Sequence, residues 1–216
     1  NTIHASAGSG AGLAVTDNST VTIRDVTLTG NVISAYSYEY SYECGPMTDD
    51  GAASSGGGGA LVNASSSLEI LRLSAVSNRA EGGRGGALLA ARGATLELGK
   101  EVIIEENRAS GGGGLAVLAG ASVRISSSPS VVANRALDES GGGVMVVDGE
   151  LVVARGSSPA VVNENVARCS GGALIAAVDA AVEIDGALDA IDNIAQEGDG
   201  GGIARESGAV LSLAAA

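Results

Sequence analysis

The sequence predicts an all-β fold: a right-handed parallel β-helix of about seven coils, each 27–31 residues long with three short strands. Three observations carry this. A glycine opens a run of apolar residues at Gly12, Gly59, Gly86, Gly114, Gly143, Gly172 and Gly202, at intervals of 47, 27, 28, 29, 29 and 30 residues. An asparagine recurs at Asn31, Asn78, Asn107, Asn134, Asn165 and Asn193, at intervals of 47, 29, 27, 31 and 28. Between the two markers lies an apolar–x–apolar triplet in every copy, as in Leu68-Glu69-Ile70, Val123-Arg124-Ile125 and Val182-Glu183-Ile184. The markers share one period and one exception, which is an insertion over residues 33–57 between the first and second units. At about 4.8 Å per coil, seven coils make a rod of roughly 34 Å.

Each element of the unit has its own reason. The first strand follows the glycine: Ala60-Leu61-Val62, Ala87-Leu88-Leu89, Leu115-Ala116-Val117, Val144-Met145-Val146 and Ala173-Leu174-Ile175 carry no charge on either side. A strand with one wet face alternates, so the outer side of this sheet is expected to be covered by another part of the protein or by a partner. The second strand is the alternating triplet, whose central residue is polar in six of seven copies and is expected to face solvent. A third apolar patch precedes each asparagine, as in Val26–Leu28, Val102–Ile104 and Val161–Val162, and is read as the third strand. The asparagines are expected at a corner, where Asn tolerates left-handed backbone and stacked amides bond coil to coil in a ladder. The glycines are expected to leave that corner at positive φ and to allow close approach of the next coil. Helical repeats need a run of 3.6 periodicity, and leucine-rich repeats an L-x-x-L-x-L core; neither is present.

Composition bounds the function. Of 216 residues 34 are Gly, with no Phe and no Trp, so the core is built from Val, Leu, Ile and Ala. A net charge of −13 argues against nucleic acid and anionic lipid as partners, and no apolar run is long enough to insert in a membrane as a helix. Both ends of the chain fall inside the repeat pattern, which reads as a single β-helix segment, residues 1–216, of a longer protein.

The paired motif resembles the repeats of the chlamydial polymorphic outer membrane proteins, which combine a G-G-A-[ILV] tetrad with an F-x-x-N tetrad. Here the first stands as Gly58-Gly59-Ala60-Leu61, Gly85-Gly86-Ala87-Leu88 and Gly171-Gly172-Ala173-Leu174. The second stands as Leu28-Thr29-Gly30-Asn31, Ile104-Glu105-Glu106-Asn107, Val131-Val132-Ala133-Asn134 and Val162-Asn163-Glu164-Asn165, with an aliphatic residue replacing Phe. The resemblance implies a right-handed, pectin-lyase-like β-helix and an extracellular or cell-surface role. Similar repeats occur in secreted proteins of algae and other protists.

Little in the chain points to catalysis. Enzymes on this architecture cluster Asp with Arg, Lys or His in one groove, for calcium or for acid–base work. This chain has one His and one Lys, and its densest acidic set (Asp185, Asp189, Asp192, Glu197 and Asp199) reads as a solvated face. No catalytic residue, metal or cofactor is implied. Asn18-Ser19-Thr20 and Asn63-Ala64-Ser65 are glycosylation sequons, expected at the same exposed corner. Cys44 and Cys169 lie about 19 Å apart along the rod, four coils on. The 13 residues from Asn31 to Cys44 reach about 43 Å, so a bridge between them, free thiols and intermolecular bonds all remain open. All four tyrosines, Tyr36, Tyr38, Tyr40 and Tyr42, alternate with Ser and Glu in the insertion. They form either a cover for the rod's own apolar surface or a docking strip for a subunit or glycan.

These features point first to a non-catalytic structural rod of a large extracellular protein. A filament, ciliary hair, cell wall or matrix would suit, with protein partners or self-assembly. An adhesin-like passenger binding a host or neighbouring cell is the second reading, and a polysaccharide lyase or hydrolase the third.

Overall fold

The computed structural model describes residues 2–5, 12–35, 44 and 56–214. Among these residues there is no helix; the regular elements are strands, and their pairing is parallel. Each circuit of the chain visits three sheets in turn. The first sheet stacks seven strands, among them Ala60–Val62, Leu88–Ala90, Leu115–Leu118, Val144–Val147 and Leu174–Ala177. The second is ten-stranded and includes Thr20–Thr29, Ser67–Val76, Thr95–Glu105 and Ser122–Ile125. The third again has seven strands, among them Val32–Ala35, Arg79–Arg84, Arg108–Gly111, Arg135–Ala136 and Val166–Ala167. The chain is thus a parallel β-solenoid.

Five successive circuits, over residues 60–195, pass through all three sheets without a break. Residues 13–35 add one more, and the last unit ends after its second-sheet strand, Val210–Ala214. Among the described residues the complete coils number fewer than the seven that the glycine column suggests, because the last unit is described only through its second-sheet strand. The insertion is also shorter than 33–57. Val32–Ala35 is a third-sheet strand and Gly56 bridges Arg84, which leaves 36–55, described only at Cys44.

The third sheet is not the one expected. The apolar patch before each asparagine lies in the second sheet, running on from the alternating triplet as one strand of ten or eleven residues in Thr20–Thr29, Ser67–Val76 and Thr95–Glu105. In later coils the two halves separate, as Ser122–Ile125 and Ser130–Val132, and Glu150–Val153 and Ala160–Asn163. Pro129 and Pro159 stand in those breaks, and a proline gives the ladder no N–H. The third sheet is formed instead by the residues after the asparagine, which answers why Asn-Arg-Ala recurs. Its asparagine enters the corner and its arginine faces out. Its alanine faces in, on the column Ile33, Ala80, Ala109, Ala136, Ala167 and Ala195.

The core follows from alternation. Ser67–Val76 buries Leu68, Ile70, Leu73 and Ala75 and exposes Glu69, and each buried side chain stacks on its equivalent in the next coil, Leu68 on Leu96 and Ile70 on Leu98. Stacking like on like keeps an aliphatic interior filled without aromatic rings. The outer side of the first sheet is buried as well: Leu61, Leu89, Ala91, Ala116, Leu118, Met145, Val147, Ile175 and Ala177 are each 0–1% exposed and form a second cluster. The cover expected from their lack of charge is present within this one chain.

Candidate functional site

The asparagines form one column along the corner between the second and third sheets. Each Nδ2 donates to the Oδ1 of the next coil: Asn31 to Asn78 at 2.8 Å, Asn78 to Asn107 at 3.0 Å, Asn107 to Asn134 at 2.9 Å, and Asn134 to Asn165 and Asn165 to Asn193 at 3.0 Å. The same Oδ1 also accepts the backbone N–H of the preceding asparagine, at 2.8–3.1 Å. The second amide hydrogen reaches back one coil, from Asn78 to the Leu28 carbonyl, Asn107 to Ala75, Asn134 to Ile104, Asn165 to Val131 and Asn193 to Val162. Asn107, Asn134 and Asn165 are fully buried, and each makes all the bonds its amide can make. The left-handed residue is not the asparagine but the one before it: Gly30, Ser77, Glu106, Ala133, Glu164 and Asp192 all have φ between 55° and 61°. That residue turns the corner, so the asparagine keeps a backbone that points its amide along the stack.

The glycines fall into three columns, and pairing shifts two of the expected positions. Gly12, Gly59, Gly114, Gly143 and Gly202 are equivalent, but their partners in the other two coils are Ala87 and Ala173 rather than Gly86 and Gly172. None of the expected corner glycines has positive φ. That conformation belongs to Gly57, Gly85, Gly112, Gly141, Gly171 and Gly200, at 56° to 71°. Between these columns lie Gly58, Gly86, Gly113, Gly142 and Gly172, where space is the constraint. A Cβ on Gly113 would stand 2.6 Å from the Arg135 nitrogen, and one on Gly58 would stand 2.6 Å from the Arg79 carbonyl oxygen. Gly113→Ala is expected to cost about 3 kcal/mol, the upper end for overpacking against backbone. Gly30→Ala meets nothing within 4 Å and takes a conformation that Ala133 already adopts. It is expected to cost about 1 kcal/mol. Urea melts of the two variants check the order.

Cys44 and Cys169 form a disulfide, Cα to Cα 5.3 Å, which selects one of the three open alternatives. It pins residue 44 beside Ser170, Ile175, Glu197 and Arg205, at the entry to the Leu174–Ala177 strand. Asn18 is exposed in the turn after the first strand. Asn63 is not its equivalent: Val15 pairs with Val62, so Asn63 lies two residues earlier in register, is buried, and accepts the Ala64 N–H. Of the two sequon asparagines, Asn18 is exposed and Asn63 is buried in the folded chain. Tyr36, Tyr38, Tyr40 and Tyr42 lie outside the described residues.

Two of the five residues of the acidic set pair with arginines. Asp185 pairs with Arg155, and Glu197 with Arg168. No group of three or more His, Cys, Asp or Glu able to hold a metal occurs among the described residues. Arg72 donates to Asp25 across one coil and holds its carboxyl below the usual carboxylate range. That contribution is present above the ordinary carboxylate pKa and fades as pH falls through the lowered one, and solvent around both side chains keeps it small. An unforeseen pair is Arg84 with Glu139 at 2.8 Å, only 12% and 14% exposed. Fifty-five residues separate its members, and no local pattern marks it. No family model, curated protein or solved structure matches the chain.

Proposed function

We propose that the chain is a non-catalytic rod segment of a large extracellular or cell-surface protein, built from repeats of the polymorphic outer membrane protein type and acting by packing against other protein. The observation that carries this is the unbroken asparagine column from Asn31 to Asn193: the recurrent asparagines of the repeat are committed to one another and not to a ligand. The Cys44–Cys169 bridge supports an oxidising compartment. Antibodies raised against this segment are expected to label a filament, wall or surface layer on intact cells. Labelling confined to the cell interior, or turnover of pectin or alginate by the purified protein, overturns the reading. The adhesin reading shares the rod and adds a recognition surface; an exposed arginine column favours it.

A further inference from the structure

The arginine of each Asn-Arg-Ala triplet has no role in the ladder or the core. Arg79, Arg108 and Arg135 are exposed and stand in direct register on adjacent strands of the third sheet, about 4.8 Å apart. Like charges directly opposite each other destabilise a sheet. Elsewhere the arginines with a charged neighbour meet acids. Arg72 lies between Asp25 and Glu101, Arg124 beside Glu97, and Arg84, Arg155 and Arg168 are paired with Glu139, Asp185 and Glu197. In the column, Arg79 bonds Glu81 on its own strand at 3.1 Å. Neither Arg108 nor Arg135 makes an ion pair among the described residues. With Ser77, Glu106 and Ala133 the three line a shallow open groove along the asparagine corner. Its one carboxylate, Glu106, already accepts the Ser77 hydroxyl at 3.1 Å.

We propose that Arg79, Arg108 and Arg135 form a binding site for a linear polyanionic glycan lying along the rod, with one carboxylate or sulfate seated on each coil. Guanidinium groups favour such oxyanions because their N–H fork matches them. Spacing selects the polymer. Acidic side chains on one face of an extended peptide recur at about 6.6–6.8 Å, out of step with the coils. Nucleic acid needs a longer basic footprint than three arginines. A linear acidic glycan carries an oxyanion on each ring and is not held to that two-residue repeat. The inference rests on the extracellular reading only for where such a polymer is met; the site itself stands on the register of the three arginines.

Calorimetric titration of the oxidised protein with oligoalginate and with dextran sulfate oligosaccharide tests it, with neutral dextran and poly-glutamate alongside. Binding of one or both charged sugars is expected, weakening with salt. Alginate alone identifies a carboxylate ligand, and dextran sulfate alone a sulfated one. Arg108→Glu is expected to weaken binding by about tenfold or more, and Arg108→Gln to give a smaller loss in the same direction. Arg124→Glu, on the second sheet, is expected to leave binding unchanged. Melting temperatures of the Arg108 variants are expected to hold or rise, since a like-charge contact is removed. Failure of both charged sugars to bind, equal binding of poly-glutamate, or equal loss in Arg124→Glu overturns the site. Intracellular labelling with sugar binding intact sinks the extracellular rod and leaves the site standing.

Discussion

Asn107→Leu is expected to lower the unfolding free energy by about 4 kcal/mol or more. The substitution keeps the branching of the side chain and removes four hydrogen bonds, two donated by the Asn107 amide and two accepted by its oxygen. It strands the Asn78 backbone N–H, one Asn78 amide hydrogen and the Ala75 carbonyl inside the corner, at about 1–3 kcal/mol for each buried group left unpaired. Asn107 is 0% exposed, so water cannot replace the lost partners. Asn18→Leu, in an exposed turn outside the column, is the control and is expected to cost far less. Chemical denaturation of both variants reads the difference. Equal midpoints for the two would mean that the amide column adds nothing to stability.

Replacing both Cys44 and Cys169 by serine is expected to destabilise by about 4–5 kcal/mol. The bridged residues are 125 apart in sequence, and closing a loop of that length raises the free energy of the unfolded state by about this much on the chain-entropy account. The oxidised and reduced wild-type proteins are expected to differ by the same amount. Guanidinium unfolding of all three forms measures it. Identical midpoints would show that the unfolded chain gains no freedom when the bridge is absent, which the entropy account does not allow.

The ladder was legible because an asparagine recurring at a fixed period has few other uses. The first-sheet cover was legible too, since Leu61, Leu89 and Met145 sit where a wet face would carry polar residues. The third sheet is not legible in the sequence, because the Asn-Arg-Ala coils set alanine inward and arginine outward and so alternate too weakly to look like a strand. The patch before the asparagine is strongly apolar and drew the assignment instead. The glycine columns slipped by one at Gly86 and Gly172 because a run of glycines offers no internal landmark; only the pairing of Leu88 with Leu115 shows that Ala87 occupies the place of Gly114. Asn63 looked equivalent to Asn18 because both sequons follow a first strand, and a two-residue difference in register decides which one is buried. The disulfide and the Arg84–Glu139 pair join distant segments, and their partners are chosen by coil stacking rather than by anything near them in sequence.

The bridge also decides how a rod of this kind bears load. If tension is applied to the two ends, the covalent path runs from Cys44 directly to Cys169, and the intervening residues lie outside it. Cut the bridge and those 125 residues enter the path, with about 410–450 Å of slack once their coils unwind. Under oxidising conditions the span between the two cysteines cannot be drawn out; under reducing conditions it becomes a long shock absorber that gives way coil by coil.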